Sequence, residues 1–245
     1  MSSVKYSIII PTLNEEKLIE KLLKQLSDKS LKDKYNYEII VSDGGSTDNT
    51  VELAVNYSDI VKVHCEKYKQ NIAKGRNIGA EFSSGEILIF LNADTALSNP
   101  VKFFDFLNNH FCKSNYLAMT CFVRIFPSEE TTSDKIFHFM YNRYFQLINF
   151  LGVGMGRGEC QIIRREAFNQ FNGYNQTLAA GEDFDLFKRI RKKGKILYSN
   201  DIFIFESPRR FRKLGYKNVT SVWIKNGLSV FFKDKAISKE WEQIR

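Results

Sequence analysis

Short apolar runs alternate with segments of helical periodicity along the first part of the chain. The runs predict buried strands at Val4–Ile10, Tyr37–Ser42, Ile60–His64 and 86–91. Between them, leucine and isoleucine recur at helical spacing from Leu18 to Leu26, and 71–82 is also predicted to be helical. Strands that alternate with helices in this way indicate a parallel sheet that is covered on both faces and joined by right-handed crossovers.

Polar residues after the first two strands predict helix starts. Pro11 is expected to end the first strand, and Thr12 with Glu15 fits a capping box. Asp43 is followed by two glycines that permit a sharp turn, and Ser46 or Thr47 is expected to cap the next helix. A helix start of this kind presents free N–H groups to an anion.

The second half of the chain predicts a less regular series of elements. Helices are expected at 100–111, 166–171 and 216–232, and from Gly181 onward; strands are expected at 117–125 and 161–164. The segment Lys135–Leu151 is rich in aromatic residues. It predicts a buried helix or a lid, with a helix that faces a membrane or a lipid acceptor as the alternative.

Composition narrows the class of protein without identifying it. The 245 residues are 43% apolar, and the formal charge of +8 favours anionic partners such as nucleotides, lipid phosphates, membrane surfaces or nucleic acid. The start is too quickly polar for a signal peptide, and Phe145–Met155 falls short of the ~20 residues of a membrane span. The scattered Cys65, Cys112, Cys121 and Cys160 favour reduced thiols in a cytoplasmic protein.

The strand at 86–91 ends in two oxygen-bearing side chains, Asn92 and Asp94, on either side of Ala93. Ligands of open parallel sheets bind outside the carboxyl ends of the strands. A carboxylate and an amide oxygen at that place suit a hard cation such as Mg²⁺ or Mn²⁺, with ligand phosphates completing its shell. The structural alternative is a turn, since Asn and Asp favour strand ends for local hydrogen-bonding reasons.

Four motifs in order resemble those of the inverting family 2 glycosyltransferases of the GT-A fold: PTLNEE, VSDGGSTDNT, KGRNIGAEFSSGEILIFLNADT and GEDFDL. The resemblance implies an α/β fold with a Rossmann-like, mostly parallel sheet, helices on both faces and a helical C-terminal extension. It implies a glycosyltransferase domain at 1–205, with a nucleotide-binding part at about 1–98 and an acceptor part at about 99–205, extended by 206–245. The implied partners are a nucleotide-diphosphate sugar donor and a saccharide or lipid-linked acceptor.

The resemblance also assigns donor-binding roles to single residues: Pro11, Thr12 and Glu15 in the nucleotide pocket, Asp43 at the base, and Arg76 and Asn77 near the base or diphosphate. A carboxylate can accept from a base N–H, and a guanidinium suits phosphate. Each has a purely structural alternative. Glu15 can complete a helix cap, Asp43 can brace a turn, and Arg76 can be a solvated helix residue.

The resembled family usually has Asp-x-Asp where this chain has Asn92-Ala93-Asp94. Asp94 matches the direct metal ligand, so the resemblance implies that Mg²⁺ or Mn²⁺ binds there. The amide at Asn92 removes one negative charge, which is expected to weaken metal affinity.

The run GEDFDL matches the acceptor-side motif of the family, which makes Asp183 the implied catalytic base, Glu182 its neighbour and Asp185 a supporting residue. Like charges that are partly desolvated raise the pKa of a carboxylate toward useful basicity. The structural alternative is that three carboxylates simply suit the positive end of the helix dipole.

Several later features concern the acceptor. The glycine-rich stretch around Arg157 predicts a flexible loop, either a lid over the donor or a connection. The basic run from Arg209 to Lys213 indicates a solvated face, a phosphate site, or attraction to the cytoplasmic face of an anionic membrane. The signature Gln-x-x-Arg-Trp of processive synthases does not occur, which favours transfer of one sugar at a time.

Three alternative functions remain open. A polyprenyl-phosphate glycosyltransferase would use an acceptor phosphate that needs less help from a base. A nucleotide-sugar-binding protein without catalysis is disfavoured by the intact GEDFDL run. A nucleic-acid-binding protein would explain the net charge but leaves the acidic motifs unexplained, so no nucleic acid is expected as a partner.

Overall fold

The computed structural model describes residues 4–64, 71–238 and 244. Its strands form one eight-stranded sheet in the order β3-β2-β1-β4-β7-β6-β8-β5. The strands are β1 Tyr6–Thr12, β2 Tyr37–Asp43, β3 Ile60–Val63, β4 Ile87–Leu91, β5 Thr95–Leu97, β6 Ala118–Ile125, β7 Cys160–Arg164 and β8 Ile196–Glu206.

The sheet is parallel from β1 to β4 and mixed beyond it. The strands β1 to β4 pair in parallel, β7 runs antiparallel to both β4 and β6, β6 and β8 are parallel, and β5 is antiparallel to β8. In the described part of the chain, ten helices surround the sheet: α1 Ile19–Leu26, α2 Lys29–Tyr35, α3 Thr50–Tyr57, α4 Ile72–Glu81, α5 Pro100–Phe106, α6 Thr132–Phe150, α7 Arg165–Gln170, α8 Glu182–Arg191, α9 Arg209–Leu214 and α10 Tyr216–Lys233. The helix α5 continues into a π-helical turn at Leu107–Phe111.

The strand β4 lies in the middle of two apolar cores. Its residues Ile87, Ile89 and Leu91 join the core that includes α1, α2 and α5. Its residues Leu88 and Phe90 join the core on the other face, which includes α4, α7 and α8. Because successive side chains of a strand point to opposite faces, the unbroken apolar run fills both cores. The predicted mostly parallel sheet covered on both faces is confirmed.

Two predictions about the first strand are wrong. The strand β1 continues through Pro11, which pairs with Ser42 of β2. On the other side, pairing with β4 ends at Ile9. Pro11 therefore lies beyond the part of β1 that is paired on both sides, so its missing N–H is tolerated. Thr12 forms no capping box with Glu15, since it still belongs to β1 and the next helix begins at Ile19.

The predicted cap of the helix after β2 is also wrong. The helix α3 begins at Thr50, and the Thr50 N–H donates to Oδ1 of Asp48 at 3.0 Å. Ser46 instead donates its backbone N–H to Asp43 Oδ2 at 2.8 Å, and the Thr47 N–H donates to Asn14 Oδ1 at 2.8 Å. These amides are therefore occupied by side chains of the protein rather than presented to an anion.

The glycine-rich stretch before β7 is more firmly held than predicted. The Arg157 side chain is buried, and its Nε donates to Glu159 Oε2 at 3.1 Å. Its Nη1 donates to Asn142 Oδ1 of α6 at 3.3 Å. These contacts fix the centre of the stretch, which contradicts the prediction of a flexible loop.

Cys112, Cys121 and Cys160 are free thiols, as predicted, and Cys65 lies outside the described residues. Across 4–64, 71–238 and 244, no helix has the length and apolar character that crossing a membrane requires.

Candidate active site

A cavity lies at the carboxyl ends of β1 and β4, between these strand ends and helices α8, α9 and α10. It brings together eight of the predicted site residues, which come from four separate parts of the sequence: Pro11, Glu15, Arg76, Asn92, Ala93, Asp94, Glu182 and Asp183. The location agrees with the rule that open α/β sheets bind ligands outside the carboxyl ends of their strands.

Asp94 faces a cation from the C-terminal part of the chain. Arg209 Nη2 lies 3.0 Å from Asp94 Oδ2 and donates to Glu15 Oε1 at 2.8 Å. The backbone of Ser207 donates to the Asp94 carbonyl at 3.1 Å, which places the start of α9 beside the end of β4. One guanidinium therefore compensates two carboxylates of the cavity. This ion pair contradicts the simplest interpretation of the basic run as a solvated face.

Arg76 is a buried structural centre of the site. Its side chain is 1% exposed, and Nη1 donates to Glu182 Oε1 at 2.7 Å. Its Nη2 donates to Asn92 Oδ1 at 3.2 Å and to the carbonyl of Gly158 at 2.7 Å. The interpretation of Arg76 as a solvated helix residue is therefore wrong. In this structure the Arg76 guanidinium pairs with Glu182 and holds the Asn92 side chain by a hydrogen bond.

Asp183 combines burial with access to the cavity. Burial, and then the neighbouring Glu182, raise the pKa of Asp183 to about 7, against the opposing effect of Arg76. Gly158 lies against this carboxylate, because an added Cβ there would be 3.0 Å from Asp183 Oδ2. A carboxyl group whose pKa is near 7 can exchange a proton with a ligand at neutral pH.

Thr12 and Asp43 do not line the cavity, and they bind each other. The Thr12 hydroxyl donates to Asp43 Oδ1 at 3.0 Å, while the N–H groups of Gly45 and Ser46 donate to Asp43 Oδ2 at 2.9 and 2.8 Å. Asp43 is fully buried. This geometry matches the structural alternative, a turn brace, and differs from the expected open carboxylate that accepts from a base.

Asn77 does not face the cavity. Its side chain donates to the Tyr174 carbonyl at 2.8 Å and accepts from the Tyr174 N–H at 2.9 Å. It borders a separate surface depression with Arg165 and Phe168. Neighbouring residues of a helix point about 100° apart, so α4 cannot direct both Arg76 and Asn77 into one cavity.

Asp185 also points away from the cavity. Its Oδ2 lies 2.7 Å from Arg189 Nη2, and the same Nη2 donates to the carbonyl of Gly173 at 2.8 Å. Through Arg189, Asp185 therefore connects α8 to the turn after α7 and stabilises the fold around the cavity.

The sequence did not reveal a second buried charge network that borders the cavity. Arg157 lies between Glu159 and Glu206, with its Nη2 3.5 Å from Glu206 Oε1. Burial and then Glu159 raise the pKa of Glu206 well above its ordinary value. Although burial opposes it, Arg157 holds the pKa of Glu159 below its ordinary value. The sequence feature that could have indicated this network is the pair Arg157 and Glu159 at the end of the glycine-rich stretch. The stretch was interpreted as a loop, so the pair was not assigned a partner.

Aromatic rings also line the cavity. Tyr141 and Phe145 of α6 and Trp223 of α10 contribute to it, together with Asn226. The rings of Tyr141 and Trp223 stack with centroids 5.4 Å apart, and the Arg157 guanidinium lies over the ring of Tyr141 at 5.1 Å. The cavity therefore combines charged groups with aromatic rings of α6 and α10.

This sheet, with its cavity at the strand termini beside Asp94, defines a glycosyltransferase fold of the GT-A class. The chain belongs to glycosyl transferase family 2, whose sequence profile matches residues 7–171. The family and fold predicted from the four motifs are thereby confirmed.

Related proteins match different shares of the chain. Glycosyltransferase AglE of Haloferax volcanii is 40% identical over 91 residues, 36% of this chain and 30% of that protein. The GalNAc(5)-diNAcBac-PP-undecaprenol beta-1,3-glucosyltransferase of Campylobacter jejuni is 37% identical over 97 residues, 38% of this chain and 30% of that protein. The match thus spans 30% of the length of both relatives. An uncharacterized glycosyltransferase of Haemophilus influenzae is 28% identical over 241 residues, 93% of this chain and 87% of that protein.

Solved structures resemble nearly the whole chain. The mannosyltransferase PcManGT from Pyrobaculum calidifontis, in complex with GDP-Man and Mn²⁺, has a TM-score of 0.70 at 18% identity, covering 96% of this chain and 64% of that one. The glucosyl-3-phosphoglycerate synthase from Mycobacterium tuberculosis, in complex with Mn²⁺, UDP and phosphoglyceric acid, has a TM-score of 0.63 at 17% identity, covering 93% and 78%. At these identities the likeness establishes the fold.

Proposed function

We propose that the chain transfers one sugar from a nucleotide-diphosphate sugar to an acceptor hydroxyl, with inversion at the anomeric carbon. The nucleotide diphosphate would bind at the strand termini, and the acceptor would bind beside the aromatic rings of α6 and α10. Arg209 and Arg210 line the cavity, and a guanidinium suits a diphosphate; Arg209 would exchange its contacts with Asp94 and Glu15 for the phosphate oxygens. The related proteins named as glycosyltransferases support this reaction class.

The observation that supports the proposal most is the carboxyl group of Asp183, whose pKa lies near 7 inside the cavity. In the proposed step, the acceptor oxygen forms a bond to the anomeric carbon while its proton passes to the Asp183 carboxylate. The bond from the anomeric carbon to the diphosphate oxygen breaks, and the nucleotide diphosphate leaves with the electron pair. Attack from the face opposite the leaving group gives inversion.

Asp94 is the carboxylate that would hold a divalent cation, which would take the place of the Arg209 guanidinium 3.0 Å from Asp94 Oδ2. Among the described residues, no group of three or more His, Cys, Asp or Glu side chains is arranged to hold a metal. A cation would therefore depend on Asp94 and on oxygens of the bound diphosphate, as is usual for Mg²⁺ at phosphate sites. When bound, Mg²⁺ or Mn²⁺ would neutralise charge that develops on the leaving diphosphate. The mannosyltransferase and the phosphoglycerate synthase above were solved with Mn²⁺, which supports this choice.

The test compares two carboxylates of one helix. After thermal-shift screening of nucleotide-diphosphate sugars with Mn²⁺ has identified a donor, Asp183→Asn should lower kcat by roughly 10²–10⁴-fold with little change in donor affinity. Asp185→Asn is the matched control, since Asp185 lies in the same helical turn and binds Arg189 outside the cavity. Donor binding with no sugar transfer to any acceptor would instead support a non-catalytic nucleotide-sugar-binding protein.

A second candidate is transfer to a phosphate on a lipid carrier. The aromatic rings of Tyr141, Phe145 and Trp223 in the cavity favour it, and the relatives include a dolichyl-phosphate beta-glucosyltransferase of Dictyostelium discoideum. Such an acceptor is already ionised at pH 7 and needs no base. Near-normal turnover of Asp183→Asn with a polyprenyl phosphate would favour this reaction over transfer to a hydroxyl.

A further inference from the structure

The helix α6 has its polar and apolar faces reversed relative to a helix that faces water. Its buried side includes Asp134, His138 and Asn142. Its outward side is made of large exposed apolar residues at helical spacing: Ile136, Phe139, Met140, Tyr144, Leu147, Phe150 and Leu151. The exposed fractions reach 62% for Phe139 and 84% for Phe150. Surface helices normally direct such residues inward, so this face indicates an apolar partner.

The neighbouring helix α10 extends this surface. Ile224, Leu228 and Phe232 are exposed at successive helical turns, with Phe232 74% exposed. The two helices are in contact, since Phe137 packs on Tyr216 with ring centroids 4.8 Å apart. Residues of both helices also line the cavity. We call these outward sides together the α6–α10 face.

The exposed charged side chains of α6 and α10 are all positive. Exposed cations lie on both: Lys135, Arg143, Lys217, Lys225 and Lys233. Their single carboxylate, Asp134, is fully buried and paired with Arg212 Nη2. Arg143 also lies over the exposed Phe139 ring, 5.5 Å from its centroid. One exposed carboxylate, Asp234, follows α10 directly, and its Oδ1 lies 3.0 Å from Lys188 Nζ. Exposed apolar residues flanked mainly by Lys and Arg are typical of helices that lie at the surface of an anionic bilayer.

We propose that the α6–α10 face docks onto a phospholipid bilayer that contains anionic headgroups. The apolar residues would enter the headgroup region, while the lysines and Arg143 would contact lipid phosphates. The proposal does not depend on the sugar, the nucleotide or the acceptor. It also moves the expected membrane contact away from the basic run at 209–213, because Arg209 pairs with Asp94 and Glu15 and Arg212 pairs with Asp134.

The experiment is co-sedimentation with vesicles of phosphatidylcholine alone or with about one-quarter phosphatidylglycerol. We expect binding to the anionic vesicles that weakens as the salt concentration rises from about 50 to about 500 mM, and much weaker binding to neutral vesicles. Changing Phe139, Leu147 and Phe150 together to Ser should weaken binding by about tenfold or more at both salt concentrations. Changing Lys217 and Lys225 to Gln should weaken it by about fivefold per cation at low salt.

Matched controls come from exposed residues elsewhere. Val55→Ser with Val101→Ser removes exposed apolar side chains on α3 and α5, and Lys29→Gln with Lys102→Gln removes two exposed cations. These variants should bind vesicles like the natural chain. Every altered residue lies outside the cavity, so the donor nucleotide should still raise the melting temperature of all variants. The melting temperature without nucleotide reports folding, and its increase with nucleotide reports donor binding.

Three outcomes would overturn the proposal. The first is no co-sedimentation with anionic vesicles at low salt by a folded protein. The second is equal loss of binding in the control variants, which would mean a general charge effect. In the third, the natural chain dimerises in sedimentation velocity and does not bind vesicles, while the triple Ser variant is monomeric; the α6–α10 face would then be an interface between two copies.

Discussion

Asn92 stands where the resembled family usually has a carboxylate, and its surroundings give a physical reason for the amide. Its Oδ1 accepts from Arg76 Nη2, and the same guanidinium pairs with Glu182. A carboxylate at position 92 would be a second negative charge beside Arg76, in addition to Glu182, and it would pair with the Arg76 guanidinium. The charge available to a metal at this corner is therefore that of Asp94.

We predict that Asp94→Ala abolishes Mn²⁺-dependent binding of the donor nucleotide, because Asp94 is the carboxylate left at this corner. Asn92→Asp should change that binding by less than about tenfold, since Arg76 would neutralise the added charge. Isothermal titration calorimetry with UDP or GDP, with and without Mn²⁺, measures both. Unchanged Mn²⁺-dependent binding in Asp94→Ala would show that the metal assignment is wrong.

The pKa of Asp183 predicts the pH dependence of the reaction. A base acts in its ionised form, so kcat/KM should rise with pH and level off above about 7, where Asp183 is deprotonated. In the Asp183→Asn variant the residual activity should lose this rise. The measurement is a pH profile of kcat/KM with a saturating acceptor concentration. A flat profile in the natural chain would mean that Asp183 is not the base.

The raised pKa of Asp183 also predicts that Asp183→Asn, which lowers activity, raises the stability of the folded protein at high pH. The folded pKa of about 7 lies above the ordinary value of 3.8, so the folded state binds the proton more tightly than the unfolded state. Stability is therefore lost as pH rises through this window. Asp183→Asn removes the charge and should raise the melting temperature at pH 8 but change it little at pH 4. A lower melting temperature at pH 8 would contradict the burial of this charge.

At the scale of elements, α6 is held by a buried carboxylate at its start. The side chains and backbones of Thr131 and Asp134 form a reciprocal capping box. Asp134 is fully buried, and its Oδ1 accepts from Arg212 Nη1 at 3.0 Å, while Tyr216 also donates to it. One side chain thus joins the first turn of α6 to both α9 and α10. Although burial opposes it, Arg212 and Thr131 hold the pKa of Asp134 well below its ordinary value.

We predict that Asp134→Ala lowers the free energy of unfolding by about 3 kcal/mol, because it removes a cap and charge-assisted hydrogen bonds. Thr131→Ala is the matched control, since it loses the cap alone and should cost about 1 kcal/mol. Urea denaturation monitored by circular dichroism gives both values. Since the folded pKa of Asp134 is lowered, its contribution should be present above about pH 4 and decline at more acidic pH. Equal effects of the two substitutions would mean that Arg212 adds nothing.

The elements with strong local patterns could be predicted from the sequence. The buried strand β4, the periodic helix α1 and the helix α4 depend on apolar spacing that is visible in a short window. The helix α2 was missed because its sequence KSLKDKY is mostly polar and only two of its residues are buried. The predicted caps failed for another reason, since Thr12 binds Asp43, a residue distant in sequence.

At the scale of the whole molecule, the site is assembled from contacts that no local pattern encodes. Arg209 reaches Glu15 across 194 positions of the chain, and Arg157 reaches Glu206 across 49. The motifs predicted eight of the residues that line the cavity, but the partner of each charge depends on the folded arrangement. The pairing of Arg76, expected near the base or diphosphate, with Glu182 is an example that the sequence did not predict.

The C-terminal extension is also joined to the rest of the molecule by its apolar residues. Phe211 and Val219 form a small core with Ile125 of β6, and Val230 packs with Leu178 and Phe184. Complete burial of such a side chain contributes about 1.5–3 kcal/mol. The three residues of the extension therefore contribute roughly 5–9 kcal/mol, which is comparable to the total stability of about 5–15 kcal/mol of a typical domain.

We therefore predict that a chain ending at Ser207 does not fold cooperatively, because it exposes these two small cores and removes Arg209 from Asp94 and Glu15. Thermal unfolding by circular dichroism should show no sharp transition, and limited proteolysis should degrade the remaining residues rapidly. Phe232→Ser, which changes an exposed residue of α10, is the control and should unfold within a few degrees of the natural chain. A truncated chain with a cooperative transition close to that of the full chain would make 206–245 a separable appendage instead of part of the glycosyltransferase domain.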